Sequence, residues 1–598
     1  MIALEVDSGA GARRIDLLSY LSADAEERAH EDEYAWIKAL RALPVDGTPF
    51  RSRFTLRGDS LWWFAELYLH KQQTILQIMR TLAAFEALVE QERPLAVRHI
   101  SGGYAGVVAA AAAARKVRYS GRRWPRLSTA LFRMDVRGAM LASGARLSRL
   151  RPRVRRPARP SIAAFVHRAF WRSEAQDGSA ESYIGPVLQE IETRLPAGGI
   201  QYVGVGPRSN FRARRWWHPV VAPIHGRERS PIVSIERYAP TAALKDSRRI
   251  YLERDTVRQG LWASPAIRAH AVIRNCDCWP LVREELAGVA LLQFPWSARA
   301  MDEAAAALET LQPEAAVTYA EAGGWGRAIA LECRRRGVPL AGLQHGFVYR
   351  HWLNYCHEPD EMAPDPGRAA DRGFPAPAAT LVFDEQTARH LSAAGRYPRE
   401  TLVVTGSARL DELIAAVRRV DRAAIDRVRR DAGASDGQAV ILFAGKEREA
   451  RGSLPALIDA VRTMDDVQLA IKPHPAETPE AYDALVARAA HVRVLPAGTP
   501  LPPALAAARG VVTVNSTVAV DAMALGVPSL VIGLPNNLTP FVDAGVMLGA
   551  GSAVEIRAAI ARLLYDQEFR GRLARATEGR AAARAADAIL ALAAKRRG

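Results

Sequence analysis

The run VQLAIKPHP, residues 467–475, ends an apolar stretch on a lysine and on a histidine set between two prolines. Proline cannot donate to a sheet ladder, so Pro473 stops a strand, and its fixed φ holds His474 on a stiff bracket at the strand's C-terminal edge. In open α/β sheets that edge is where ligands bind. Lys472 and His474 are then donors for a phosphate; the alternative is a rigid strand-to-helix turn with an incidental imidazole. About forty residues on, VTVNSTVAVDAMALGVP ends a β-branched strand at Asn515. Ser516 and Thr517 stand where a helix begins and can cap its free N–H groups. A helix N-terminus attracts anions, and hydroxyls beside it add donors. Asp521, one turn further, is placed to reach a ribose hydroxyl. The plain alternative is an ordinary helix cap. LFAGKERE adds Gly445, where backbone can come close, and Lys446, which adds charge or is simply a solvated loop lysine.

A second group lies upstream. AGLQHGFVYRHWLNYCHEPDEM ends an apolar strand at Gln344-His345-Gly346. A histidine titrates near neutrality, so His345 suits general-base work on a sugar hydroxyl, with the neighbouring glycine giving a substrate room. Gln344, Gly346 and Arg350 are the matching candidates for holding an acceptor. In TYAEAGGWGRA, Glu321 sits on a glycine loop opening a helix: a second candidate base, or the group that orients His345. His351, His357, Glu358, Asp360 and Glu361 crowd the same stretch, but their spacing matches no zinc motif, so no metal site is assigned.

These residues need strands to end where they stand. Residues 1–90 read as mostly helical, with apolar residues at helical spacing from Leu61 to Val89. PLAVRHISGGYAGVVAAAAAARK reads as strand, glycine turn and helix; IAAFVH, IQYVGVGP and the βαβ unit from Ala315 to Gly346 follow. After FPAPAAT the alternation restarts and runs to GVPSLVIGLP. Strands alternating with helices imply parallel sheets covered on both faces. The expected fold is therefore α/β: two Rossmann-like domains facing a cleft, with a helical N-terminal extension. The expected domains are a helical extension 1–90, an N-terminal acceptor domain 91–390 with a basic insertion at 115–159, a C-terminal nucleotide domain 391–565 and a helical tail 566–598.

KPHP and NSTVAVDAMALGVP, in that order, resemble the GT-B-fold bacterial transferases of surface polysaccharides. The nearest look-alikes are the capsule Kdo transferases, the bacterial polysialyltransferases and the CDP-glycerol glycerophosphotransferases. The resemblance covers about residues 310–560. It implies that His474, Ser516 and Thr517 bind the phosphate of a cytidine-nucleotide donor, and that His345 supplies a base. Asp521 departs from the glutamate usual in GT-B enzymes, which leaves the ribose contact and the donor base open. Such enzymes use helix dipoles and basic side chains, not a metal, on the leaving phosphate; no cofactor is expected.

Bulk properties limit the partners. The formal net charge is +17, and from Arg115 to Arg159 there are fifteen Arg/Lys and one acid, Asp135. That pattern suits a polyanion. Aromatics to stack single-stranded nucleic acid are sparse there, so an anionic membrane surface or anionic glycan is favoured and no nucleic acid is expected. Four cysteines make no disulfide framework, no apolar run reaches the roughly 18 residues of a membrane span, and the N-terminus has no signal layout. The expectation is a cytoplasmic protein, with the basic segment as a candidate peripheral anchor on the inner face of the cell membrane. The functional expectation is a glycosyltransferase moving a sugar from a nucleotide-activated donor, CMP-linked as one option, to a capsule or lipopolysaccharide glycan or glycolipid. The alternatives are a non-hydrolysing nucleotide-sugar 2-epimerase and a non-catalytic membrane-associated scaffold of capsule assembly.

Overall fold

A computed structural model describes residues 2–9, 11–121, 124, 127–147, 154, 159–171, 181–206, 231–319, 321–368, 370–474, 477–486, 489, 491–534, 536–573 and 579–597. Much of the basic run, 148–153 and 155–158, and Pro475 of the KPHP bracket lie outside them. The chain divides into two compact units, residues 1–405 with 585–598, and residues 406–584.

Three long helices stand in the opening part of the first unit, α1 (Ala23–Ala39), α2 (Trp62–Gln72) and α3 (Thr74–Glu92), the last two where the apolar spacing from Leu61 to Val89 predicts helix. Around them lies a small sheet of β1 (Ala3–Asp7), β2 (Ala12–Asp16), β3 (Ala96–Ser101) and β4 (Arg118–Ser120), in the order β2-β1-β3-β4. Beyond the helices expected of them, the N-terminal ninety residues thus contribute two strands to this sheet, where ALEVD alternates inward and outward residues, and two short hairpins, Pro44–Val45 with Thr48–Pro49 and Thr55–Leu56 with Asp59–Ser60. The half-unit around SGGYAG joins this sheet and not the Rossmann sheet. A Cβ at Gly106 would lie 2.0 Å from the Trp124 ring, so that glycine serves packing.

A seven-stranded, all-parallel sheet follows: β5 (Ile162–His167), β6 (Ile200–Val205), β7 (Val233–Ser234), β8 (Ala315–Tyr319), β9 (Leu340–Leu343), β10 (Ala379–Val382) and β11 (Leu402–Val404), in the order β7-β6-β5-β8-β9-β10-β11. Its central strands are continuous apolar runs because helices cover both faces. The expected boundary at 390/391 falls between β10 and β11, yet the two pair with each other in this first sheet. The restart of alternation at FPAPAAT marks a loop, not a change of sheet. Four further helices matter below: α4 (Leu127–Leu147), α5 (Lys245–Ala263), α6 (Phe294–Leu311) and α7 (Gly324–Arg335).

Charges are buried between the helical layer and the sheet. Lys38 on α1 donates 2.6 Å bonds to Glu66 on α2 and to Glu361. Arg327 on α7 bonds Glu66 and the Trp63 carbonyl, and the Trp62 indole donates to Glu361 at 2.8 Å. Lys38, Glu66, Arg327 and Glu361 are essentially without solvent exposure. Such ions are tolerable only when every partner is in place.

The second unit is a six-stranded parallel sheet: β12 (Ala439–Ala444), β13 (Val467–Lys472), β14 (Val492–Val494), β15 (Gly510–Thr513), β16 (Ser529–Ile532) and β17 (Leu548–Ala550), in the order β14-β13-β12-β15-β16-β17. A short helix α8 (Val518–Ala524) follows β15. Among the described residues no helix is long and apolar enough to cross a membrane.

Candidate functional site

In the second unit the chain runs outward from β12 through β13 to β14, then returns to lay β15 on the other side of β12. The strand order reverses between β12 and β15, and at such a switch point the carboxyl ends of the strands open a crevice. Three of the four stretches singled out in the sequence end there. Lys446 follows β12, Lys472 closes β13 with His474 two residues on, and Asn515, Ser516 and Thr517 follow β15.

The turns are tied together. The Thr513 hydroxyl donates to the Ala444 carbonyl at 2.6 Å and accepts from the Ser516 N–H at 2.9 Å, joining the ends of β12 and β15. The Ser516 hydroxyl accepts from the Val518 N–H at 3.3 Å, whereas Thr517 makes no side-chain cap bond. Of the two expected capping residues, then, only Ser516 caps. The Asn515 side-chain oxygen is buried and has no hydrogen-bond partner. Across the edge, the Tyr482 hydroxyl lies 2.9 Å from the Gly445 carbonyl and 3.0 Å from Glu477, whose carboxylate accepts from the Glu447 N–H at 3.2 Å.

The cations differ in setting. Lys446 is exposed, 3.5 Å from Glu449. Lys472 is half-buried, and burial lowers its pKa. His474 is held below its ordinary value by burial and then by the Lys446 charge, which places the two side chains in electrostatic reach. A neutral imidazole beside two lysines is poised to gain a proton when an anion arrives. Asp521 is turned elsewhere: it is buried, and both its carboxylate oxygens lie 3.2 Å from Arg409. Burial raises its pKa, opposed by Arg409.

In the first unit the order reverses between β5 and β8, and again the strand ends carry the polar groups. His345 stands two residues beyond β9, half-buried, its ring 5.3 Å from that of Tyr319 and 5.4 Å edge-on from that of Tyr183. Burial among these rings lowers its pKa to about 4, so it is a free imidazole at neutral pH. A Cβ at Gly346 would meet nothing within 4 Å, which leaves the approach beside His345 open.

Glu321 is placed differently. Its carboxyl is buried, has no hydrogen-bond partner of good geometry, and lies against Gly342, where a Cβ would come within 2.7 Å of it. The Tyr355 phenol is beside it, and burial pushes its pKa up to about 7. It makes no hydrogen bond to His345, so the orienting role expected of it has no contact behind it. Gln344 spends its side chain on the backbone, donating to the Gly346 carbonyl at 2.9 Å and accepting from the Phe383 N–H at 2.8 Å. It shapes the loop that presents His345. Arg350 pairs with Glu27 at 2.7 Å and lines a separate cavity of about 320 Å³ with His30, His70 and His351. The acidic and imidazole side chains after it are likewise engaged: His351 with Glu27, Asp360 with Arg41, Glu361 with Lys38, and His357 against the Phe374 ring.

Sequence reasoning missed His167, Tyr183, Tyr319 and Glu181. His167 ends β5, its N–H donating to the Tyr319 hydroxyl at 2.9 Å, and burial followed by the Arg168 charge lowers its pKa to about 4. Burial pushes Glu181 up to about 7. The signal for His167 was present, since IAAFVH ends on histidine as LAGLQH does. Nothing local marks Tyr183.

No family model matches the chain, and no curated protein matches it. Solved structures do resemble it. The UDP-GlcNAc 2-epimerase of Neisseria meningitidis bound to UDP-GlcNAc is 13% identical over 73% of this chain and 99% of that one, with a TM-score of 0.44. MurG of Acinetobacter baumannii is 13% identical over 72% and 100%, with a TM-score of 0.38. The spinosyn rhamnosyltransferase SpnG is 14% identical over 73% and 98%, with a TM-score of 0.37. These are likenesses between chains; the fold and the site stand on this chain's own strands and side chains.

Proposed function

We propose that the chain is a glycosyltransferase that uses a nucleotide-activated sugar. The observation that carries this reading is the convergence of Lys446, Lys472, His474, Ser516 and Thr517 on one switch point of the second unit's sheet. Two lysines, a titratable imidazole, two hydroxyls and a helix N-terminus together match the charge and geometry of a leaving nucleotide phosphate. The buried, unpaired Asn515 oxygen adds an acceptor suited to a nucleoside N–H or hydroxyl. A CMP-linked donor follows from the resemblance of the two motifs, with a capsule or lipopolysaccharide glycan or glycolipid as acceptor.

His345 takes the base role in this reading because it is neutral and accessible; Glu321, although better matched in pKa, is walled in behind Gly342. Calorimetric titration of the full chain with CMP, CDP and UDP, followed by product analysis with CMP- and UDP-sugars, tests the proposal. It expects one nucleotide to bind best and sugar to be released only onto an added acceptor. No nucleotide binding overturns it. A free, epimerised nucleotide sugar formed without acceptor replaces transfer by 2-epimerisation.

A further inference from the structure

An apolar cavity of about 560 Å³ lies in the first unit between α4, the start of α5 and the start of α6, and His345 is not among its lining residues. Its walls are Leu141 and Ala142 from α4, Leu244, Leu291 and Leu292, and the Trp296 ring. Leu291 and Leu292 sit on a π-helical turn, Val289–Gln293, an irregularity that recurs at functional sites because it turns side chains off the regular helical face. Gly138 places α4 against that turn: a Cβ there would be in van der Waals contact with the Leu291 carbonyl at 3.5 Å. Trp296 is steadied by Trp325, ring to ring at 5.6 Å. The volume falls in the range of about 300–1,000 Å³ typical of small-molecule sites.

The rim is basic. Lys245 and Arg248 are exposed on the first turn of α5 and form no ion pair among the described residues, and Arg299 reaches across to the Leu141 carbonyl at 3.2 Å. Outside the cavity, α4 exposes Phe132 and Val136 one turn apart, 68% and 42% exposed, with Arg133 and Arg137 beside them, and α5 exposes Leu252. Asp135, between Phe132 and Val136, is paired with Arg254 at 3.8 Å, and apolar side chains set among cations suit an element that lies on an anionic interface.

We propose that this cavity holds the apolar chain of an anionic amphiphile, a single hydrocarbon tail ending in a phosphate that Lys245 and Arg248 grip at the rim. The tail takes Leu141, Leu244, Leu292 and Trp296 as its wall. The exposed strip of α4 brings the cavity to a lipid surface. As a statement about the acceptor, a lipid-linked one, this rests on the transfer reading; as a statement about binding it does not.

The test titrates the full chain with alkyl phosphates of increasing length, below their micelle concentrations, with inorganic phosphate and the matching alkanols as controls. Affinity should rise about fourfold per methylene and then level off when the cavity is full. Ala142→Trp, which narrows the cavity at its α4 wall, should weaken long-chain binding tenfold or more. The surface pair Lys245→Glu with Arg248→Glu should weaken alkyl phosphates but not alkanols, and stays informative if the tryptophan variant misfolds. Vesicles carrying a polyprenyl phosphate should retain the wild type better than phosphatidylcholine vesicles, and Ala142→Trp should erase the difference. Affinity rising without a plateau, inorganic phosphate binding as well as its alkyl ester, or wild-type behaviour in both variants would overturn the proposal. Nucleotide titration of the same proteins is the separate check: alkyl phosphate bound without nucleotide sinks the transfer reading alone.

Discussion

His474, Ser516 and Thr517 can be separated by what each already does. His474→Ala removes a charge-assisted phosphate contact worth roughly 1.5–3 kcal/mol, so nucleotide affinity should fall about ten- to a hundredfold by calorimetry. Ser516→Ala should also cost ~1 kcal/mol of stability, because Ser516 caps Val518. Thr517→Val should leave melting nearly unchanged and still weaken nucleotide, since its hydroxyl bonds no cap N–H. Equal melting losses in the two variants would make the pair a structural cap. His345→Ala should keep nucleotide affinity while turnover drops by the ~10²–10⁴ of a positioned proton transfer. Because burial lowers His345 to about 4, the acid limb of the wild-type pH–rate profile should lie near pH 4 and vanish in the variant. A limb near pH 7 would instead point to Glu321.

At the scale of elements, the loop behind β9 stores a cost that pH reveals. Glu321 has a folded pKa near 7 against an ordinary 4.5, so burial favours its neutral form. Its contribution to stability is complete below pH 4.5 and is lost as pH rises through 7. Glu321→Gln should therefore flatten the stability–pH curve over that window, measured by chemical denaturation; an unchanged slope would mean that the carboxyl is not neutralised in the fold. The strands that carry the second site were legible in the sequence because they are short apolar runs cut off by Pro473, Asn515 and Gly445, and a strand's end is a local property. The pairing of β11 was not, since LVV reads the same in either sheet. Arg409's hold on Asp521 and Glu27's on Arg350 were also invisible: each joins residues more than a hundred positions apart, and no spacing rule reaches that far. Gln344 and Glu321 were correctly seen as belonging to loops at strand ends, but which way each side chain turns was decided by packing.

On the scale of the whole molecule, the basic run predicts a salt-sensitive attachment. Each Lys or Arg near an anionic bilayer contributes ~1 kcal/mol, so a chain lacking residues 144–159 should pellet less with anionic vesicles, and the wild type should detach as salt rises. Equal pelleting of the two proteins would remove that segment as an anchor. The buried quartet of Lys38, Glu66, Arg327 and Glu361 bears on a different matter, the prospect of a shortened chain. Cutting the gene back to the Rossmann core would delete Lys38 and Glu66 and leave Arg327 and Glu361 with the hydrocarbon around them and no counter-ion. Removing one partner of a buried pair costs about 3–5 kcal/mol, and this trim would do so twice, at Glu361 and at Arg327. The opening ninety residues are therefore a foundation that cannot be removed by itself: a substitution at Lys38 or Glu66 should be tolerated only together with a matching change at Glu361 or Arg327.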